Sequence, residues 1–471
     1  MDHSSLERLL LHNAETGRVP FHMPGHKRRA LHSPALPWAL DITEIDGFDD
    51  LHDPEGILAE SMDRAAALWG SDEARYLVNG STGGLLAALH TLLPPGSTVL
   101  VARNCHKAVY HGLELLHARP VYLLPPVIPA FGVAASIPPE AVAQALAEHP
   151  EARALVLTSP SYDGVLSDLP AICALCHEKN IPVLVDAAHG AHLGFGPFPS
   201  GAVAAGADIV VQSLHKTMPS LTQTALLHRQ GPRVDPDALH RSLGVFQTSS
   251  PSYPLMASMD GCVDLLSREG ADLARTWFGA IEAFHRTVGP LRHLRVLGHD
   301  GLPEGCFGFD PSKLVISTLG TDLTGPHLAR RLREDFSMEP EMVAPHYVTA
   351  MTGMGDRPED LLALADALLT IDSGLTAAEV NPLPTSVLPP IRRTAAQAVN
   401  SPREEVDLTA AVDRISAEYL WAYPPGIPLL APGELLTEET LALCLAYEAQ
   451  GVPLKHTGGS AEHRLKVCLT P

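Results

Sequence analysis

Residues 213–228, SLHKTMPSLTQTALLH, and the preceding stretch 185–195, VDAAHGAHLGF, decide the fold. Each begins at the end of a short apolar run, IPVLVD (181–186) and ADIVVQS (207–213), typical of a buried strand. Asp186 ends the first strand, and Lys216 lies just beyond the second. Because parallel strands place their carboxyl ends at one edge of a sheet, where such folds bind ligands, we expect both side chains at one site.

Strand-like and helix-like stretches alternate over a much longer region around this pair. Further strands are predicted at RYLV (75–78), STVLVA (97–102), PVYLL (120–124) and ALVLTS (154–159), with helices at 81–93, 106–117, 138–149 and 168–179. This alternation predicts an α/β fold with a mostly parallel sheet. A helical stretch at 255–290 and a second α/β region from about 312 follow. We therefore expect an N-terminal arm (1–56), a large domain (57–290) and a smaller C-terminal α/β domain (291–471).

A lysine and a carboxylate at neighbouring strand ends suit the cofactor pyridoxal 5′-phosphate (PLP). Lys216 would hold it as a Schiff base, and Asp186 would keep its pyridine nitrogen protonated. The loop NGSTGG (79–84) lies between a strand and a helix, where backbone N–H groups receive a phosphate. Ser213 and His215 would add side-chain donors. An exposed loop lysine and a helix-capping aspartate are the alternatives for each residue alone, and the ordered set favours PLP.

Composition excludes several other classes of protein. With 33 basic and 54 acidic residues the formal charge is −21, which argues against a nucleic-acid partner. No apolar run reaches the length of a membrane span, and we see no secretory signal. Seven scattered cysteines fit reduced thiols in a cytoplasm. Cys173 and Cys176 form a C-x-x-C without a second ligand pair, so we expect helix packing and no metal site.

Nine motifs, in order along the chain, carry a resemblance to a known family. They are PFHMPGHK (20–27), DITEIDGFDDLHDPEG (41–56), NGSTGG (79–84), RNCHKA (103–108), TSPSYDGVLSDL (158–169), DAAHGAH (186–192), SLHKTMPSLTQ (213–223), QTSSPSYPLMASMD (247–260) and YPPGIPLLAPGE (423–434). The chain resembles the bacterial Orn/Lys/Arg decarboxylases of PLP fold type I, whose fold is aspartate-aminotransferase-like. It is most similar to the short biosynthetic arginine decarboxylases.

The resemblance implies roles for individual residues. His106 would stack on one face of the cofactor ring, Ala188 would pack on the other, and His189 would be a hydrogen-bond partner beside it. Phosphate contacts would come from Ser81, Thr82, Gly83, Ser213 and His215. Without the resemblance, a polar residue at a helix start is the simpler interpretation of His106. Ala187 and Leu214 depart from the usual Glu and Thr, and neither position supplies an essential group.

The implied reaction is α-decarboxylation of a basic amino acid to the corresponding amine and CO2. Arginine is the first choice of substrate, followed by lysine and ornithine. The distal cation needs an anionic partner, and the candidates are Asp49 and Asp50, with Asp46 and Asp53 nearby, and Glu434. The alternative is that these carboxylates cap turns or face water.

Two other functions stay open from the residues alone. An aminotransferase or lyase on the same fold would keep the substrate carboxylate, for which Arg392 or Arg393 could serve. An inactive paralogue is disfavoured because Lys216 and Asp186 are both present. Since 19 residues precede PFHMPGHK, we expect no N-terminal wing domain of the kind found in long family members. The resemblance then implies a homodimer with shared active sites.

Overall fold

The structure is a computed structural model that describes residues 5–16, 23–24, 26–28, 35–379, 387–422, 427–461 and 463–469. Residues 20–22 and 25 of PFHMPGHK and 423–426 of YPPGIP therefore lie outside the described residues. None of the helices within the described ranges is long and apolar enough to span a membrane.

The helices and strands alternate along the chain much as the sequence predicts. The helices are α1 (Leu6–Glu15), α2 (Ile57–Trp69), α3 (Gly80–Leu92), α4 (Lys107–Leu115), α5 (Pro139–Glu148), α6 (Leu169–Glu178), α7 (Leu214–Thr217), α8 (Pro236–Phe246), α9 (Tyr253–Thr287), α10 (Gly325–Phe336), α11 (Pro358–Asp372), α12 (Ala395–Val399) and α13 (Glu438–Ala449), with a 3-10 turn at Leu408–Ala411. The strands are β1 (Glu73–Leu77), β2 (Thr98–Ala102), β3 (Arg119–Leu123), β4 (Val127–Ile128), β5 (Val133–Ala134), β6 (Leu155–Thr158), β7 (Val165–Leu166), β8 (Val183–Asp186), β9 (Ile209–Ser213), β10 (Ala225–Arg229), β11 (Arg295–Val296), β12 (Gly308–Phe309), β13 (Lys313–Ser317), β14 (Met342–Val343), β15 (Tyr347–Met351), β16 (Arg403–Asp407), β17 (Leu420–Ala422), β18 (Ile427–Leu430), β19 (Leu454–His456) and β20 (Arg464–Cys468).

The chain divides into two compact units, each assembled from separated stretches. The first contains the residues up to Leu92, Pro182–Thr276 and Gly353–Gly355. The second contains Leu93–Ile181, Trp277–Thr352 and the residues from Asp356 onward.

The first unit contains the strand pair that the sequence singled out. Strands β8 and β9 are parallel, with Asp186 opposite Val211, so their carboxyl ends meet at one edge as predicted. Strand β10, which the apolar pattern did not reveal, pairs antiparallel with β9, and β1 pairs antiparallel with β10. The short connection through α7 explains this direction, because a parallel return needs a longer crossover.

Helix α3 packs closely against strand β1 at its N-terminal end. A Cβ atom at Gly84 would lie 2.4 Å from Leu77 Cδ1, so a larger residue there would force the Leu77 side chain to move. Gln247 stabilises the end of the strand, because its Oε1 accepts from the backbone N–H of Val78 and its Nε2 donates to the carbonyl oxygen of Tyr76. The loop that begins α3 is therefore held in place by residues distant in sequence.

A buried carboxylate joins three helices of the first unit. Asp260 on α9 is fully buried and accepts from the backbone N–H of Leu6, from the hydroxyl of Ser61 and from Arg64. Helices α1 and α2 thus pack onto the long helix α9 through one ionised group. A buried charge is tolerated only when it is paired and hydrogen-bonded in this way.

The second unit combines a parallel strand group with several antiparallel sheets. Strand β2 pairs parallel with β3 and with β6, and the sheet β11-β13-β15-β14 is antiparallel. Near the C-terminus, β17 lies between β18 and β19, and β16 pairs with β20. Cys173 and Cys176 are both buried on α6, as expected for packing residues. Together the two units confirm the predicted α/β class.

Candidate active site

The amine of Lys216 lies against the imidazole of His189. Strand β9 ends at Ser213, and the single turn of α7 carries Lys216 beyond the strand end. Its Nζ is 3.0 Å from His189 Nε2. His189 follows strand β8 and is 6% exposed, so the contact is sheltered from solvent. The two motifs that the sequence pattern singled out therefore meet through their side chains.

Asp186 is a buried carboxylate beside this pair. It is 2% exposed, and its Oδ1 accepts from the backbone N–H of Ala188 at 3.1 Å. Burial raises the pKa of Asp186 above its ordinary value, and the positive charge of Lys216 and the Ala188 N–H offset part of this rise. A carboxylate in such a place is stabilised by a cationic partner. This is the property that a protonated pyridine nitrogen would exploit.

The N-terminal end of α3 forms a polar cradle next to Ser213. Ser213 donates its hydroxyl to Ser81 Oγ at 3.0 Å, which brings the predicted loop and the predicted strand end together. Thr82 is exposed at the same helix end, where the first backbone N–H groups have no intrahelical acceptor. A Cβ at Gly83 would lie 2.9 Å from Asn79 Cβ, so glycine is required there. The cradle fits a phosphate group.

His215 follows Ser213 by two residues, and one of its ring nitrogens is already hydrogen-bonded. Its Nδ1 is 2.9 Å from the carbonyl oxygen of Thr224, to which it must donate. Burial lowers the pKa of His215, the Thr224 contact raises it, and neighbouring Lys216 lowers it further. A neutral His215 with its proton on Nδ1 has only an acceptor at Nε2. It can donate to a phosphate, as the sequence analysis expected, only when the phosphate draws a second proton onto the ring.

His106 lies in the second unit, at the N-terminus of α4. Its Nδ1 accepts from the backbone N–H of Ala108 at 3.2 Å, so the residue caps the helix. This is the simpler of the two interpretations made from the sequence. Its predicted stacking on a cofactor ring, and the packing of Ala188 on the other face, stay predictions.

The carboxylate of Asp49 is fully engaged within the first unit. Its Oδ1 accepts from the backbone N–H groups of Asp50 and Glu55, and its Oδ2 from those of Gly56 and Leu58, all within 2.9–3.0 Å. Partial burial raises the pKa of Asp49, but the four N–H donors outweigh it and lower the value overall. Asp49 thus ties its loop to the start of α2, which is the turn-capping alternative. Asp50 makes less contact, since its Oδ1 accepts from the His52 N–H at 2.8 Å.

Both carboxylate oxygens of Glu434, in the second unit, are also hydrogen-bonded. Arg103 donates from Nη1 to Oε1 at 2.5 Å and from Nη2 to Oε2 at 2.9 Å, and the Ala431 N–H donates to Oε2 at 2.7 Å. The Arg103 guanidinium carbon lies 4.6 Å from the ring centre of Tyr122. Both charges are buried, so the contacts of Glu434 do not support a role in binding substrate.

Sequence reasoning missed the partners that hold these groups. One example is Gln223, whose Nε2 donates to the carbonyl oxygen of Val78 at 2.6 Å. Another is Arg103, the partner of Glu434. Both residues lie within the family motifs, but the spacing of the motifs does not indicate a partner for either. Motif membership alone could have marked them as candidates.

The strand-end lysine, the buried carboxylate and the phosphate cradle define a PLP-dependent enzyme of fold type I. The chain belongs to the Orn/Lys/Arg decarboxylase family: the major domain of the family matches residues 5–297 and its C-terminal domain matches residues 374–449. Members of this family use PLP, and this chain is a decarboxylase that uses the same cofactor.

Individual relatives agree with this assignment. The arginine decarboxylase of Bacillus subtilis (strain 168) is 32% identical over 462 residues, covering 95% of this chain and 94% of that protein. The crystal structure of the Francisella novicida lysine decarboxylase LdcF gives a TM-score of 0.85 at 19% identity, covering 98% of this chain and 80% of the other. An alanine–glyoxylate aminotransferase from Nostoc sp. gives a TM-score of 0.54 at 17% identity, covering 68% and 88%. The two structures show the fold alone.

Proposed function

We propose that this enzyme removes the α-carboxylate of a basic amino acid, with arginine the preferred substrate over lysine and ornithine. The observation that carries the proposal is the juxtaposition of Lys216, His189 and buried Asp186 at the edge formed by β8 and β9. The similarity to the Bacillus subtilis arginine decarboxylase, at 32% identity, supports arginine as the first choice.

The residues at this edge fit PLP and suggest which groups hold it. Lys216 supplies the amine that binds the cofactor covalently, and Asp186 supplies the carboxylate for its ring nitrogen. Ser81, Thr82, Gly83 and the N–H groups of the first turn of α3 receive the phosphate, with Ser213 and a protonated His215 beside them. We assign His106, Ala188 and His189 to the surroundings of the ring.

The chemistry of the reaction divides between cofactor and protein. When bound, PLP accepts the electron pair that the departing CO2 leaves at Cα. Asp186 keeps a proton on the ring nitrogen, because its buried carboxylate is stabilised by a cation. Lys216 Nζ, in hydrogen-bond contact with His189 Nε2, is placed to accept and return a proton. Asp186 and His189 are themselves buried, so water has little access to these two side chains.

Of Asp49, Asp50 and Glu434, the carboxylate of Asp50 has the most hydrogen-bonding capacity left. Both oxygens of Asp49 and both oxygens of Glu434 are occupied by donors from the chain itself. Asp50 has one accepted hydrogen bond and is half-buried. We therefore place Asp50 first for recognition of the substrate side chain, ahead of Asp49 and Glu434.

The test is a product assay of the PLP-loaded enzyme with arginine, lysine and ornithine supplied separately. We expect stoichiometric CO2 and amine, with the highest kcat/KM for arginine and no keto acid. Formation of a keto acid without CO2 would show an aminotransferase instead. The Lys216→Ala variant is the matched blank for uncatalysed loss of CO2.

The homodimer that the resemblance implies and the cytoplasmic location that the scattered cysteines suggest belong to the same proposal. Light scattering at micromolar concentration tests the dimer, and a fully active monomer would contradict shared active sites. Two contacts within one chain hold the acidic segment, residues 46–56. His52 Nε2 contacts the carbonyl oxygen of Thr248, and the Tyr253 hydroxyl donates to the carbonyl oxygen of Asp49.

A further inference from the structure

A cavity of about 130 Å³ lies in the second unit, and none of the residues that line it is among those assigned above to the cofactor. Its walls are largely apolar and include Leu124, Val133, Leu429 and Leu443. Its polar groups include Asp163, from the turn before β7, and Asn104, from the turn after β2. Such a cavity has room for several waters or one short alkyl group, and its lining offers both apolar surface and polar atoms.

Two acceptor atoms of this cavity, one oxygen of Asp163 and the side-chain oxygen of Asn104, lack a donor within the described part of the chain. Asp163 is 6% exposed, and its Oδ1 is buried with no hydrogen-bond partner among the described residues. The Oδ1 of Asn104 is in the same condition. A buried carboxylate oxygen left without a donor is strongly unfavourable, so the pair calls for a ligand that donates.

The neighbouring cations cannot neutralise Asp163 because each has a carboxylate of its own. Arg103 also lines the cavity, but its guanidinium forms the two-pronged pair with Glu434. Lys313, whose side chain packs against Gly164, is bound to Asp310 at 3.4 Å and to Ser312 at 3.2 Å. The negative charge of Asp163 therefore faces a cavity without a counter-ion from the described residues.

We propose that this cavity binds the cationic head of a short alkylguanidinium or alkylammonium ion, with N–H groups donating to Asp163 Oδ1 and Asn104 Oδ1. Guanidinium is the better match, because its several N–H donors can reach two acceptors at once. The alkyl part packs against the apolar walls. Binding here does not depend on the decarboxylase proposal, since it needs neither turnover nor Lys216.

The charge of Asp163 gives the site a characteristic pH dependence. Burial raises its pKa to about 6, and hydrogen bonding by Tyr347 offsets only part of that rise. The other titratable groups at the cavity keep one charge state around this pH: Tyr347 and Tyr447 stay neutral, since burial raises both pKa values, and Arg103 stays cationic. Cation binding is therefore present above about pH 6 and weakens as the pH falls through it.

Calorimetric titration of the PLP-loaded enzyme with n-propylguanidinium tests the proposal. This probe has no primary amine and cannot react with the cofactor. We expect saturable binding at pH 8, at least tenfold weaker binding in Asp163→Asn and in Ala134→Leu, which narrows the cavity from β5, and no change in Asp300→Asn, an exposed acid of the same unit. Tetramethylammonium, which carries the charge without N–H donors, should bind at least tenfold more weakly than the guanidinium.

Each contrary result is informative. Absence of saturable binding to the parent enzyme, or equal affinity in Asp163→Asn, overturns the proposal, and so does binding that persists unchanged at pH 5. Asn is a neutral isostere at a site where burial already disfavours charge, so folding should survive. If it does not, Ala134→Leu alone decides the result. Loss of CO2 production in the product assay would leave this binding test unaffected.

Discussion

Lys216 Nζ and His189 Nε2 lie 3.0 Å apart, although 27 residues separate them in sequence. Lys216, which binds the cofactor in our proposal, follows strand β9. His189, whose imidazole is buried, follows strand β8. Because the two nitrogens lie within hydrogen-bond distance, a change at either side chain alters the immediate surroundings of the other. The pair is the natural first target for mutagenesis.

Lys216→Ala should abolish turnover and covalent retention of the cofactor. The variant lacks the amine that binds the cofactor in our proposal. Reduction with borohydride followed by mass spectrometry should attach PLP to Lys216 in the parent and leave the variant unlabelled. Lys179→Ala, at the exposed end of α6, is the control and should label and turn over normally. Covalently held cofactor in Lys216→Ala would refute the assignment.

His189→Phe should lower kcat by about 10-fold to 100-fold while the protein stays folded. Loss of a hydrogen bond to a charged partner costs about 1.5–3 kcal/mol, which corresponds to that range. A positioning role also predicts that the pH–rate profile shifts, since the Lys216 proton loses its partner. His189→Gln, which keeps a polar atom beside Nζ, should restore most of the rate and the profile. A His189→Phe enzyme with the parental profile would assign His189 to packing alone.

Asp186→Asn should keep PLP bound but lower kcat by at least about 100-fold, or roughly 3 kcal/mol of barrier. The amide oxygen can still accept from the Ala188 N–H, so the local fold is preserved. A neutral amide cannot stabilise a protonated ring nitrogen, which is the property that the reaction needs. Stopped assays at saturating PLP, with cofactor content measured by absorbance, separate the two effects. A rate within a few-fold of the parent would show that another group holds that proton.

The sequence predicted those parts of the fold and site that depend on local pattern. Strands β2, β6, β8 and β9 lie where their apolar runs placed them, and Asp186 and Lys216 meet at one edge because the two strands are parallel. The antiparallel strand β10 was missed, because its five residues carry no periodicity that separates them from the preceding loop.

Long-range partners could not be predicted in the same way. Arg103 and Glu434 are 331 residues apart, and neither residue type nor spacing links them. The role of Asp49 could not be predicted either, because an aspartate that binds substrate and one that caps the start of a helix look the same in a sequence. Only the four backbone donors on Asp49 distinguish the two.

Glu434→Gln should destabilise the protein, by about 3–5 kcal/mol, because it leaves the buried guanidinium of Arg103 without a counter-ion. The measurement is the thermal midpoint of unfolding. Asp360→Asn, which breaks an exposed pair with Arg357, should leave the thermal midpoint nearly unchanged and serves as the control. KM for arginine in the folded fraction should be unchanged. A stable Glu434→Gln enzyme with a raised KM would return Glu434 to substrate recognition.

Asp49 and Asp50 are adjacent, but we expect substitution of Asp49 to lower stability and substitution of Asp50 to lower activity. Asp49→Ala removes the acceptor of four backbone N–H groups and should lower stability by about 1–2 kcal/mol, as loss of a helix cap does. Because the folded-state pKa of Asp49 is lowered, its contribution is present above the ordinary value of 3.8 and is lost as the pH falls through the folded value. The difference in thermal midpoint between parent and Asp49→Ala should therefore shrink below about pH 4.

Asp50→Asn should show the opposite pattern, with little change in thermal midpoint and a loss of kcat/KM for arginine and lysine. A lost charge–charge contact with a desolvated substrate cation costs about 2–5 kcal/mol, against under about 1 kcal/mol for an exposed pair. Both variants should keep the parental cofactor content, so that a change in kcat/KM reports on recognition of the substrate. The contrary result is an Asp50→Asn enzyme with the parental kcat/KM on both amino acids and an Asp49→Ala enzyme that is changed only in stability. In that case neither carboxylate binds the substrate, and residues 46–56 have a structural role.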